Sequence, residues 1–422
     1  MITTIHLSPG VVLHHYPDPR FKKCALSFQL LRPMCPEEAA LNALLPSVLL
    51  RGTEHYPDLR SITWRLDELY GASVHTMVRR VGDIQTVGFY LSVMEDRFAL
   101  ESEGVLIHAA DFLRELMLCP LTVDGAFDPE IVDSEKKNLI SAIESELNDK
   151  RAYISGQMIR RMCAGDSFAV PRLGRPEEVA AISPEALYAH YQRILKDSPV
   201  EFFYVGANSA ETVAALLKPL AQMLGGNAQE MPEQTAFTPV AEPSEFFEEM
   251  DVNQGKLSMG FSTTVTNRHP DFAAMQVLNS VYGAGMTSKL FVNVREKMSL
   301  CYYANSGYYG SKGIFTVSSG IDEEHYEVAR AEILRQLALC AEGQISEAEL
   351  AAAKSAIISS LRATPDSPGS LEGYYATAAL SGMDMDIPDY IAAVEAVTIE
   401  DAARCASTIK LHTTAFLKGV GK

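Results

Sequence analysis

The sequence lacks long apolar runs and paired cysteines. No stretch approaches the roughly 20 apolar residues of a membrane-spanning helix, so we expect no membrane partner. The seven cysteines are scattered, odd in number and never spaced as C-x-x-C, which indicates neither a disulfide framework nor a thiolate zinc site. The first residues show no basic segment followed by an apolar core, so no signal peptide is predicted. These features favour a reducing compartment, and we expect a cytoplasmic protein.

The chain is also poor in positive charge. It has 36 Lys and Arg against 54 Asp and Glu, a formal net charge of −18, whereas nucleic-acid binding needs a basic surface. We therefore expect no nucleic-acid partner. An excess of acidic residues mildly favours cationic partners, but a charge that only keeps the protein soluble is the better explanation. No phosphate-binding loop of the G-x-x-x-x-G-K-[ST] or G-x-G-x-x-G type occurs, and no G-x-S-x-G elbow.

The ten histidines are not spaced as metal ligands. No H-E-x-x-H or H-x-x-x-H pair is present. His14 and His15 are adjacent and would face opposite sides of a strand, while His55 follows Glu54 without a second histidine near it. We therefore expect no metal site and no cofactor in this chain.

The two halves of the sequence resemble each other. LRELMLCP, which begins at Leu113, returns as LRQLALCA from Leu334, and the segment that ends at Leu195 is echoed by one that ends at Lys410. Local matches in the same order indicate an internal duplication. Each half begins with strands, passes through a helix and a hairpin, and ends with helices and a last strand.

The predicted architecture is therefore α+β, with two homologous repeats. At 422 residues the chain is long enough for two or three domains of ordinary size. We place the first repeat at 1–228 and the second at 243–422. Residues 229–242 lose hydrophobic periodicity and gather Gly, Pro and polar residues, which is typical of a linker.

The stretch from Gly285 to Tyr303 combines several chemically useful residues. Apolar residues at intervals of about three and four predict a helix that begins at a hydroxyl cap, Thr287 or Ser288. Arg295 lies near its C-terminal end, and Tyr302 opens an aromatic, extended run that predicts a strand. A guanidinium and a phenol would then meet at one helix-to-strand corner. The alternative is a surface arginine and an unrelated, packed tyrosine.

This stretch resembles the C-terminal signature of the insulinase or pitrilysin family of zinc peptidases, which includes mitochondrial processing peptidase. The signature is S-x-L-F followed by R-E-x-x-x-L-x-Y. It corresponds here to Ser288, Leu290, Phe291, Arg295, Glu296, Leu300 and Tyr302. The resemblance implies two repeats, each with a mixed, mostly antiparallel sheet and helices packed on it. It also implies that Arg295 and Tyr302 bind the substrate peptide and its carbonyl.

The zinc motif of that family is degenerate in this chain. Active members carry H-x-x-E-H on the first helix, shortly before K/R-G-T, and here Arg51-Gly52-Thr53 marks the place. The family spacing puts Ala43 and Ser47 at the histidine positions and Pro46 at the catalytic glutamate. None of the three can bind zinc or act as a base. Proline costs roughly 3 kcal/mol in a regular helix interior, so we expect the local backbone to depart from that of an active enzyme. Whether Pro46 kinks the helix or ends it stays open.

The third ligand position of the family falls near Ala142, with Glu144 as the nearby candidate, and the sequence leaves this alignment open. The resemblance thus implies a protein that is inactive alone: the non-catalytic, substrate-binding subunit of a heterodimeric zinc peptidase. A zinc-bearing insulinase-family partner would hold the metal, and a peptide would be the substrate. Two alternatives stay open. One is an accessory or structural protein without a proteolytic role, for example in elongation factor P modification. The other is a homodimeric peptide-binding module.

Overall fold

The structure is a computed structural model that describes residues 2–100, 104–239 and 242–420. Positions 240 and 241 of the predicted linker lie outside the described residues. The chain divides into two compact units. Unit 1 comprises Met1–Glu144, Val170–Glu233 and Pro365–Thr377, and unit 2 comprises Ser145–Ala169, Gln234–Thr364 and Ala378–Lys422. The boundaries at 228 and 243 stay a prediction about sequence repeats.

Strands and helices alternate along the described residues. The strands are β1 Thr3–Ser8, β2 Val11–Pro17, β3 Lys23–Pro33, β4 Ser73–Val81, β5 Ile84–Met94, β6 Thr122–Val123, β7 Ala126–Phe127, β8 Val200–Gly206, β9 Ser244–Met250, β10 Gly255–Ser262, β11 Cys301–Tyr309, β12 Ile314–Ile321 and β13 Lys410–Gly419. The α-helices are α1 Pro36–Leu49, α2 Leu59–Glu68, α3 Val105–Leu118, α4 Pro129–Asn148, α5 Lys150–Met162, α6 Pro176–Ala180, α7 Pro184–Asp197, α8 Ala210–Ala221, α9 Phe272–Tyr282, α10 Tyr326–Ala341, α11 Glu347–Ala363, α12 Pro368–Ser381, α13 Ile387–Ala396 and α14 Ile399–Thr408. A π-helix spans Leu290–Lys297.

The sheets of the two units share one topology. In unit 1 the order is β1-β2-β8-β3-β5-β4, where β2 and β8 are parallel and the other neighbours antiparallel. In unit 2 the order is β9-β13-β10-β12-β11, where β9 and β13 are parallel and the rest antiparallel. Strand order and direction thus repeat, with β1 added at one edge of unit 1. The predicted α+β fold with two mixed, mostly antiparallel sheets is confirmed.

Helices cover the sheet of unit 1 on both faces. Leu26, Phe28 and Leu30 of β3 belong to the core cluster that includes residues of α1, α3 and α7. The alternate residues Ser27 and Gln29 donate hydrogen bonds to Glu372 of α12. This explains why nine consecutive residues of β3 are buried, since a strand covered on one face only would alternate between buried and exposed residues.

Small residues let a helix approach the sheet of unit 2 closely. A Cβ at Gly260 of β10 would collide with the sulfur atoms of Met158 and Met162 on α5. Next to it, Ser155 of the same helix lies 3.3 Å from the hydroxyl of Ser258 and 3.4 Å from that of Ser318. The polar side chains on this face therefore find partners within the contact, as buried hydroxyls require.

Helix α1 continues through Pro46 to Leu49, with Pro46 buried inside it. The helix therefore does not end at the proline, which was one of the two outcomes that the sequence left open. Proline removes one helical hydrogen bond and costs roughly 3 kcal/mol. Leu44, Leu45, Val48 and Leu49 on either side are buried in the core, and each such side chain contributes about 1.5–3 kcal/mol, so their burial outweighs that cost. None of the helices among the described residues combines the length and hydropathy that crossing a bilayer requires.

Candidate functional site

The segment that carries Arg295 is a π-helix. It spans Leu290–Lys297, and the residue before it is Lys289, which forms no side-chain capping hydrogen bond. The predicted hydroxyl cap thus does not lie at the start of the π-helix, although the Ser288 hydroxyl accepts a hydrogen bond from the Phe291 N–H at 3.4 Å. The Met298 N–H donates to the Asn293 carbonyl at 3.2 Å, one residue further back than in an α-helix. Helices with this wide turn are rare and often occur at functional sites. The sequence predicted the helix and not its π geometry.

A tight turn leads from the π-helix into β11. Ser299 adopts a left-handed conformation with φ of 52°, which a residue other than glycine rarely does. Pairing with β12 then joins Cys301 to Ile321 and Tyr303 to Gly320, so the ladder shifts at Tyr302. Tyr302 is thus the extra residue of a β-bulge, a feature that redirects a side chain, and its side chain is 68% exposed.

Arg295 and Tyr302 line one pocket of about 330 Å³. The other lining residues are Glu296, Ser299, Leu300, Cys301 and Asp322. The structure therefore places both predicted binding residues at the expected helix-to-strand corner. The alternative of a packed tyrosine does not hold, because Tyr302 is exposed.

The Arg295 guanidinium is oriented by its own helix. Its central carbon lies 4.5 Å from the centre of the Phe291 ring, and its Nε lies 3.6 Å from a Glu296 carboxylate oxygen. The side chain is 40% exposed. An arginine in this state keeps free N–H groups that can form a bidentate contact with carbonyl or carboxylate oxygens.

Two further pocket residues were not foreseen from the sequence. Asp322 follows β12 and reaches the pocket only because β12 pairs with β11. Cys301 also lines it; burial raises the pKa of its thiol, against the influence of Ser319 and Arg295, so the thiol stays protonated at neutral pH. A predicted β11–β12 hairpin would have been the signal for Asp322.

The residues at the family's zinc positions do not fit a zinc ion. Ala43 and Pro46 are buried in α1, Ser47 is half-buried, and Ala142 and Glu144 are exposed on α4. None of the first three offers a nitrogen or carboxylate ligand. Across the described residues, no group of three or more His, Cys, Asp or Glu side chains is placed to hold a metal ion.

The two helices that would carry those ligands are nevertheless held together. Arg51, just after α1, donates a hydrogen bond of 2.5 Å to Glu135 of α4. This hydrogen bond joins the end of α1 to α4 within unit 1.

A buried polar network anchors the other side of α1. Arg193 donates to His190 Nδ1 at 2.9 Å, so the proton must lie on Nε2, which donates to the Asn42 side-chain oxygen at 2.7 Å. The Asn42 amide donates to Gln85 of β5 at 2.9 Å. Burial lowers the pKa of His190 to about 4, although the nearby Glu38 acts in the opposite direction. This network went unnoticed in the sequence because its members lie far apart in the chain.

Comparisons with known proteins identify the family of the chain. Residues 181–357, which include the pocket, match the family model described as the peptidase M16 inactive domain. The chain is 33% identical over 414 residues to the probable inactive metalloprotease YmfF of Bacillus subtilis (strain 168), covering 97% of this chain and 96% of that protein. The chain belongs to the M16 peptidase family. This is the insulinase and pitrilysin family that the sequence signature indicated.

Solved structures show the M16 fold over the whole chain. A conserved protein from Enterococcus faecalis V583 has a TM-score of 0.92 at 27% identity and covers 100% of this chain, with 99% of its own chain matched. The peptidase M16 inactive domain from Pseudomonas fluorescens has a TM-score of 0.82 at 15% identity and covers 100% of this chain and 98% of its own. At that identity the second likeness concerns the fold alone. The fold of this chain therefore agrees with the family membership that the sequence comparison shows.

Proposed function

We propose that this M16 protein is the non-catalytic, substrate-binding subunit of a two-chain zinc peptidase. One observation carries the proposal: Arg295 and Tyr302 share an open pocket, while Ala43, Pro46 and Ser47 offer no zinc ligand and no base. A zinc-bearing M16 partner would supply the metal and the general base, and this chain would supply the groups that hold the peptide. In a site divided in this way, one chain needs only the zinc ligands and the base, and the other needs only the peptide-binding residues.

The two side chains suit different tasks in peptide binding. The guanidinium fork of Arg295 would hold a carbonyl or carboxylate oxygen of the peptide through two parallel N–H donors. The Tyr302 hydroxyl would donate to the carbonyl oxygen as negative charge develops there. One such preorganised donor contributes about 2.7–4 kcal/mol to transition-state stabilisation, a factor of roughly 100 to 1,000 in rate.

The proposal places the complex in the cytoplasm. The seven cysteines form no disulfide with one another in the described part of the chain, as is typical of proteins from a reducing compartment. The partner would therefore be a zinc-bearing M16 chain from the same cell, and the substrate an unfolded or extended peptide that can enter the pocket.

Hydrolysis of short peptides by this chain, by the zinc-bearing partner and by their mixture tests the proposal, with zinc content measured for each. We expect activity and a stable complex only in the mixture, because neither chain holds a complete site. Arg295→Ala or Tyr302→Phe in this chain should lower the rate of the mixture by about 100-fold. The zinc content of the mixture should stay the same in both variants, because this chain does not bind the metal.

A matched control is available in unit 1. Arg60 is exposed and lies 4.4 Å from the centre of the Trp64 ring, much as Arg295 lies over Phe291. Arg60→Ala should leave the activity of the mixture unchanged. If the partner cleaves peptides equally well alone, or if Arg295→Ala has no effect on the mixture, the shared site does not exist, and an accessory role without proteolysis becomes the better account.

A further inference from the structure

The π-helix is tied to α10 through one amide side chain. The Asn293 Nδ2 donates to the side-chain oxygen of Gln336 at 2.9 Å. Gln336 is 1% exposed, so this contact lies at the buried side of the π-helix, and neither residue lines the pocket. The Asn293 side-chain oxygen in turn accepts a hydrogen bond from the exposed Lys297 at 3.0 Å.

Gln336 is itself held in place. Its amide nitrogen donates to Glu332 at 2.6 Å, and Arg335 holds the same carboxylate through two hydrogen bonds of 2.7 and 2.8 Å. The Gln336 oxygen therefore has one orientation, since a flipped amide would turn its oxygen toward the carboxylate. A rigid acceptor on α10 thus faces Asn293.

Asn293 also carries the main-chain contact that defines the π geometry. Its carbonyl accepts the hydrogen bond of the Met298 N–H at 3.2 Å, and Arg295 lies inside the turn that this bond closes. The hydrogen bond to the Asn293 side chain therefore also holds the backbone of the residue at which the wide turn begins. An ordinary α-helical turn is one residue shorter and would present Arg295 in a different direction relative to Tyr302.

We propose that Asn293 is a positioning residue for Arg295. Its amide contact with Gln336 keeps the π-helix in the form that brings the guanidinium into the pocket beside Tyr302. The inference rests on the proposed peptide-binding role of that pocket. Asn293 itself does not line the pocket, so it acts on the peptide only through Arg295.

Three variants test this contact in a peptide-binding titration with the complete chain and a labelled extended peptide. Asn293→Ala should weaken binding about tenfold, the effect of losing one well-placed hydrogen bond. The exchange Asn293→Gln with Gln336→Asn keeps an amide pair of the same total length and should restore affinity to within about threefold. Lys297→Met removes the other contact of the Asn293 side chain and should leave affinity unchanged.

Amide hydrogen exchange gives a second readout at the turn. The Met298 amide should exchange faster in Asn293→Ala, because the bond that closes the wide turn opens more often, while amides of unit 1 should exchange as before. If the double variant does not fold, hydrogen exchange in Asn293→Ala decides. Faster exchange of the Met298 amide together with weaker peptide binding supports the inference, and unchanged exchange of that amide overturns it.

The possible failures are distinguishable. If Asn293→Ala binds peptide normally while Arg295→Ala does not, the positioning role is overturned and the proposed function stands. Weak binding by Asn293→Ala that a folded double variant does not rescue, or equal weakening by Lys297→Met, also overturns the positioning role. If Arg295→Ala binds peptide normally, the proposed function itself fails.

Discussion

Glu372 and Arg79 form an ion pair that joins residues 293 positions apart in the sequence. Both Glu372 carboxylate oxygens accept hydrogen bonds from the Arg79 guanidinium, at 2.8 and 3.0 Å. Ser27 donates to the same carboxylate at 2.7 Å and Gln29 at 3.2 Å. Glu372 is fully buried, and these donors offset the desolvation that burial of a charge requires. One carboxylate thus fastens the start of α12 to the sheet of unit 1.

Replacing that carboxylate should destabilise the protein strongly. Glu372→Ala removes the acceptor and leaves Ser27, Gln29 and Arg79 without it. Because Arg79 is 35% exposed and can turn toward water, we expect a loss of about 3 kcal/mol, at the lower end for a broken buried pair. Urea unfolding followed by circular dichroism measures it.

The control for this substitution is Glu230→Gln, since Glu230 is exposed and should change stability by less than about 0.5 kcal/mol. Equal unfolding midpoints for Glu372→Ala and the unchanged protein would show that the buried ion pair does not hold α12 in place.

The His190 network predicts that stability falls as the pH drops below neutrality. The pKa of His190 is about 4 in the folded protein and about 6.5 in an unfolded chain. Between these two pH values the unfolded state therefore binds more protons than the folded state. The contribution of neutral His190 to the free energy of unfolding is fully present above pH 6.5 and decreases toward pH 4. The group contributes up to about 3 kcal/mol of this decrease.

A variant isolates this contribution. His190→Gln keeps a donor for Asn42 and an acceptor for Arg193 but does not titrate, so its stability should change less between pH 6.5 and 4.5. Thermal unfolding of both proteins over this range gives the difference. A pH dependence as steep in the variant as in the unchanged protein would mean that His190 is not the responsible group.

Sequence patterns predicted what is local and what repeats. The match between Leu113 and Leu334 predicted the duplication that the two sheets display, and the residues around Arg295 predicted the corner of the pocket. The bulge at Tyr302 and the place of Asp322 depend on the pairing of β11 with β12, which the pattern around Arg295 does not contain. The sequence also left open whether α1 ends at Pro46. The helix continues because the burial of neighbouring side chains outweighs the cost of the proline.

The degenerate zinc positions predict which substitutions would create a metal site. In Ala43→His/Pro46→Glu/Ser47→His, two imidazoles would project from one face of α1, because residues four apart lie on the same side of a helix. A zinc ion needs a third protein ligand, and the family spacing puts it near Ala142, with Glu144 as the other candidate. The following test takes position 142 as the hypothesis. We therefore expect the triple variant to bind zinc at least about tenfold more weakly than the same variant with Ala142→Glu added.

Competition with a chromogenic chelator measures both affinities, and it also decides the alignment that the sequence left open. Ala43 is buried, and an imidazole there overpacks the core by about 1–3 kcal/mol, so thermal unfolding should confirm that both variants are folded before titration. If the triple variant binds zinc as tightly as the quadruple one, Glu144 already serves as the third ligand. In that case adding Glu144→Gln to the triple variant must abolish zinc binding. The same change in the quadruple variant leaves the zinc affinity intact only if position 142 holds the third ligand.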